Sequence, residues 1–216
     1  MDRRLAILLV LLLGSGIALT LAAYLFGVFP FDLEVAGWLR GFHHPVFVAL
    51  MGAVSIFGNG GVPLVLVGAV MAVCALAKKW LEAAFVMATL SAVLLASVLK
   101  VIVGRPRPPT FSMNLSDLFP SLDRYAYPSG HVLFYVVFFG FLAYLSWRHL
   151  TGRLRWISVS TCTALILLIG PSRIFLGEHW VSDVIGSYLI GTFWLICLIL
   201  LYQVVLYRRS PGLAGR

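Results

Sequence analysis

At 216 residues, 61% hydrophobic and only 11% charged, the chain lies outside the composition of soluble globular domains. Its 16 Lys and Arg exceed its 8 Asp and Glu, leaving a net charge of +8. The three cysteines, Cys74, Cys162 and Cys197, all sit in apolar runs, where thiols behave as small hydrophobes, so no disulfide framework is indicated.

Charge-free runs at residues 5–29, 46–77, 83–99, 132–147, 156–172 and 184–207 approach the roughly 20 residues needed to cross about 30 Å of hydrocarbon. The sequence therefore predicts an all-α integral membrane protein with six transmembrane helices, built as one domain over residues 1–216. The first run follows Arg3 and Arg4 and contains Ala22 and Ala23, a candidate cleavage site. Its length exceeds a signal-peptide core, so it is expected to stay as a span. The second run is too long for one span and is broken by Gly58-Asn-Gly-Gly61, with Pro63 following. Glycine frees the backbone and proline suits a first helical turn, which predicts a short interfacial helix over 46–57 and a span over 62–77.

Six spans put both termini on one side. That side collects Arg3, Arg4, Lys78, Lys79, Arg148, Arg153, Arg155, Arg208, Arg209 and Arg216, ten of the sixteen cations. By the positive-inside rule this face is cytoplasmic, in an inner membrane. The positive charge then reflects topology and contact with anionic lipid, and nucleic acid is not an expected partner. The opposite face holds Arg40, Lys100, Arg105, Arg107, Arg124 and Arg173.

Three segments of that outer face carry chemistry. Lys100 stands inside an apolar run, where a charge costs about 2.5–3.5 kcal/mol at the helix centre and less near the end; snorkelling alone is one explanation. Tyr127-Pro-Ser-Gly-His131 opens the fourth span, where a histidine can cap a helix or sit at the lipid interface. His179 and Asp183 are spaced i, i+4, which predicts one helical face and lets the carboxylate orient the imidazole. Such a pair can also satisfy only itself. Zinc needs a third or fourth ligand, and His43, His44 and His131 show no ligand spacing, while the cations of the same face repel a metal. Lys100, Arg107 and Arg173, the helix N-terminus at Ser129 and Gly130, and two histidines together describe a phosphate site.

Lys100-x6-Arg107-Pro108, Pro128-Ser-Gly-His131 and Ser172-Arg173-x5-His179-x3-Asp183 resemble the three-part signature of the type 2 phosphatidic acid phosphatase superfamily, with all eleven fixed positions matched. The resemblance implies metal-independent, cofactor-free phosphoryl transfer through a phosphohistidine. His179 would be the nucleophile, Asp183 its orienting acid, and His131 the general acid and then base. Lys100, Arg107, Arg173, Ser129 and Gly130 would hold the phosphoryl oxygens. Arg105 is an additional cation with no assigned role. The implied substrate is a membrane lipid phosphate or pyrophosphate: undecaprenyl pyrophosphate, phosphatidylglycerophosphate or phosphatidic acid. A lipid phosphotransferase is the alternative within the family. A transporter with an anion site is disfavoured because the charges gather at one end, and a vanadium haloperoxidase because those enzymes are soluble.

Overall fold

The computed structural model describes residues 2–109 and 124–209, whose regular structure is helical apart from one isolated antiparallel bridge, Pro106 to Tyr125. Helix α1 (Arg3–Phe26) begins on Asp2, whose carboxylate accepts from the Arg4 N–H at 3.2 Å. It runs against α9 (Val181–Arg209), where Gly16 lets Ile190 approach closely.

Next comes a helix with no counterpart among the expected elements, α2 (Pro30–Arg40). Its start was nonetheless written in the sequence. Pro30 occupies the first turn, and Asp32 reaches back to accept from the Phe29 N–H at 3.1 Å. Eleven residues are too few to cross a bilayer, so its apolar face gave no span signal.

The short helix expected before the break is α3 (Pro45–Ser55), continued by a 3-10 turn, Ile56–Gly58. Helix α4 (Val62–Leu76) follows after a bend of 66°. At 1.5 Å per residue, α4 rises only about 22 Å, so it needs its bent partner to complete a span. Helices α5 (Trp80–Ala88) and α6 (Ser91–Val103) form one apolar run of 24 residues. With α7 (Gly130–His149) and α8 (Gly152–Phe175), and with α1 and α9, this gives, among the described residues, five helices long and apolar enough to cross a membrane, and six when the bent pair is one span.

Helix α7 is the centre of the bundle. It is apolar all round, and eleven of its twenty residues are buried against α6, α8 and α9. Because lipid tails are as apolar as these side chains, close packing rather than exclusion of water holds such helices together. Glycines serve this directly: the ring of Tyr127 lies on Gly186, and that of Tyr188 on Gly170.

Chain direction sorts the two ends. The last turns of α6 and α8 and the first turns of α7 and α9 meet at one end, which bears every signature residue. The other end carries Arg3, Arg4, Lys78, Lys79, Arg148, Arg153, Arg155, Arg208 and Arg209. Arg216, counted with that group, lies outside the described residues. There Glu82 of α5 ties the bundle, accepting from Tyr202 of α9 at 2.9 Å and meeting His149 of α7 at 3.2 Å.

Candidate active site

Helix α6 stops because Gly104 takes φ 62°, a left-handed conformation that returns its N–H to the Lys100 carbonyl at 2.9 Å. The chain then doubles back across the end of the bundle. The Ala126 N–H donates to the Arg105 carbonyl at 2.8 Å, and the Trp180 indole to the Pro106 carbonyl at 3.0 Å. These bonds fix Arg105 and Arg107 beside the start of α9.

The turn between α8 and α9 is built in the same way. Gly177 takes φ +76°, so the chain reverses and both the Glu178 and His179 N–H groups donate to the Arg173 carbonyl, at 3.1 and 3.3 Å. His179, 1% exposed, is thus set directly over Arg173. The expectation that His179 and Asp183 share a helical face is corrected here: α9 begins at Val181, and His179 precedes it. The reason is that Asp183 caps the helix, its Oδ2 accepting from the Trp180 N–H at 2.8 Å. The same oxygen stands 3.7 Å from His179 Nδ1. That separation exceeds a hydrogen bond, so the carboxylate acts on the resting ring through its charge.

Arg105 gains a role that sequence left open. It is 2% exposed and forks between two acids, bonding Asp183 through Nη1 and Asp32 of α2 through Nη2 at 2.7 Å. Ser182 joins the cluster: its hydroxyl accepts from Arg105 Nη1 at 2.7 Å, and its N–H and hydroxyl donate to Asp32, both at 2.8 Å. Asp32, Ser182 and Asp183 are all 0% exposed. A buried carboxylate is tolerated only when paired and hydrogen-bonded, and Arg105 supplies both needs to both acids.

At the head of α7, Ser129 caps the helix through its hydroxyl, which accepts from the Val132 N–H at 3.4 Å. Its own N–H, expected to face an anion, instead donates to the Ser187 hydroxyl at 2.8 Å. Only the hydroxyl proton of Ser129 is therefore left for a ligand, beside the first-turn N–H of Gly130. His131 Nε2 lies 2.8 Å from Asn59 Oδ1, and its ring presses on Gly58 so closely that a Cβ there would collide with it. Ser55 of α3 bonds Arg173 Nη1. The bent α3–α4 pair thus supplies a wall of the site that the motifs do not reveal. The run Gly58-Asn-Gly-Gly61 marked the break without showing what it touches.

The electrostatics of the site converge on His179. Burial first, then the charges of Arg107, Arg173 and Lys100 with His131, hold its imidazole well below the ordinary value of 6.5. Burial and these charges thus favour the neutral ring, whose lone pair a nucleophile needs. All the cations assigned to phosphate from the sequence lie within electrostatic reach of this ring. Arg40 instead reaches the Ile174 carbonyl at 3.4 Å, and Arg124 lies over the Tyr125 ring. Among the described residues no three His, Cys, Asp or Glu side chains converge as metal ligands.

The chain is similar to known phosphatases. A 101-residue segment is 33% identical to an undecaprenyl-diphosphatase of Sulfolobus acidocaldarius, covering 47% of this chain and 45% of that protein. A 102-residue segment is 29% identical to phosphatidylglycerophosphatase B of Bacillus subtilis, covering 45% and 46%. The chain thus spans slightly less than half the length of these curated relatives. A transmembrane PAP2-type phosphatidylglycerolphosphate phosphatase from Bacillus subtilis has the same fold, with a TM-score of 0.74 and 22% identity over 91% of this chain and 96% of that one. The sequence model of the PAP2 superfamily matches residues 79–209, which hold all three motifs, and the chain belongs to that superfamily.

Proposed function

We propose that this protein hydrolyses a membrane lipid phosphate or pyrophosphate through a phosphohistidine on His179. The observation that carries the reading is a buried imidazole with an acid behind it and the charges of three cations acting on it, at the end of an apolar bundle. Nδ1 faces Asp183, so Nε2 is the attacking atom. A P–N bond forms at Nε2 as the bridging P–O bond breaks, and His131, entering as imidazolium, delivers its proton to the departing oxygen. Water then attacks phosphorus, His131 takes its proton, and inorganic phosphate leaves as the P–N bond opens. Lys100, Arg107 and Arg173 stabilise the charge on the equatorial oxygens, with the Ser129 hydroxyl and Gly130 N–H assisting.

The names of the relatives favour undecaprenyl pyrophosphate and phosphatidylglycerophosphate as substrates, with phosphatidic acid a third of the same chemistry. Release of phosphate from a panel of these lipids by purified protein in detergent tests the assignment. Hydrolysis survives EDTA and is inhibited by orthovanadate, because fixed cations balance the phosphoryl charge. Loss of activity in chelator, restored by zinc or magnesium, would contradict it.

The reading also places the site at the outer face of an inner membrane, with both termini in the cytoplasm. Its support is the crowding of cations at the far end of the bundle. Reporter fusions after Lys79 and Arg153 should then report cytoplasm, and fusions after Gly177 the exterior. A cytoplasmic reporter at Gly177 would reverse the orientation. Asp117, another outward position on this topology, lies outside the described residues.

A further inference from the structure

Glu178 stands beside the nucleophile, and the signature gives it no role. Its Oε2 lies 3.0 Å from Arg107 Nη1 and 3.3 Å from Arg173 Nη2. One carboxylate oxygen thus bridges two guanidiniums from separate segments, and these are two of the groups assigned to the phosphoryl oxygens. The backbone of Glu178 is fixed, its N–H on the Arg173 carbonyl at 3.1 Å and its own carbonyl on Arg107 Nη1 at 2.9 Å. Its side chain is 24% exposed, whereas those of Arg107 and Arg173 are 5% and 6% exposed. The carboxylate is thus the most solvent-accessible of these three charged groups.

We propose that Glu178 sets the phosphate affinity of the site, its carboxylate competing with the phosphoryl group for Arg107 and Arg173. The proposal rests on the reading that these arginines hold phosphate. Every entering anion must displace the carboxylate, at the same cost whether it is a lipid phosphate or free phosphate. The two ligands differ in how they meet that cost. A lipid is confined to the bilayer at high effective concentration near the site, whereas free phosphate arrives from dilute solution. Glu178 therefore weakens the binding of every phosphate alike, which a confined lipid tolerates, and it helps the inorganic product to leave.

The test uses the full chain in detergent, comparing wild type with E178Q and E178D. Hydrolysis of a lipid phosphate is measured against inorganic phosphate and orthovanadate as inhibitors. In E178Q both inhibition constants fall by about tenfold, the scale of one partly buried charge pair, and KM falls in the same direction. E178D keeps the charge and retains most of the wild-type resistance. A merely structural disturbance would raise KM and both inhibition constants together. Inhibition constants that stay unchanged or rise in E178Q, with wild type sensitive to orthovanadate, would overturn the role of Glu178 alone. Wild type insensitive to orthovanadate would overturn the arginine assignment and this proposal with it.

Discussion

With His179 as the proposed nucleophile, His179→Ala takes turnover of every lipid phosphate to the uncatalysed background, because the covalent intermediate can no longer form. His131→Ala behaves differently. A general acid matters most for a poor leaving group, so on a lipid monoester, which expels an alkoxide, its loss slows phosphoryl transfer by about 10²–10⁴. A pyrophosphate expels a far more stable phosphate anion and needs less protonation, so its first step slows less. Breakdown of the phosphoenzyme becomes limiting as well if His131, as proposed, also activates water. Single-turnover trapping of labelled phosphoenzyme on a lipid monoester and a lipid pyrophosphate separates the roles. Phosphoenzyme on His179→Ala, or equal first-step losses on both substrates with His131→Ala, would show the assignment to be wrong.

The second large effect belongs to Arg105→Leu. The substitution leaves Asp32 and Asp183, both fully buried, without the guanidinium that joins them. Breaking a buried ionic cluster by removing one partner costs about 3–5 kcal/mol, because the remaining charges stay desolvated. Thermal unfolding in detergent should fall accordingly, and phosphoenzyme formation should fall with it as Asp183 loses its anchor. Arg105→Lys is intermediate, since a single ammonium cannot reproduce a planar fork. Asp32→Asn should lose less activity, because Arg105 still holds Asp183. An Arg105→Leu protein with the stability and rate of wild type would remove Arg105 from the site.

What the sequence made legible follows from how each feature is encoded. The spans announce themselves by composition, and the signature residues by fixed spacing within short blocks. The break at Gly58 was readable for the same local reason. Asp32, Ser55 and Asn59 were not, because nothing near them in the chain points to a partner. Asp32 meets Arg105 across 73 positions, and Asn59 meets His131 across 72. Helix α2 escaped notice because it is too short to cross the bilayer, although it brings in the buried acid. The shared helical face expected of His179 and Asp183 failed for a local reason: Asp183 makes a better helix cap than a mid-helix partner.

The Arg105 fork also bears on the order in which the protein is made. Asp183 follows Arg105 by 78 residues, and translation at about 5–20 residues per second leaves roughly 4–16 s between them. Asp32 is already present when Arg105 emerges. The nascent chain can therefore neutralise this cation before the last span exists, and the arrival of α9 adds Asp183 to a waiting ion pair.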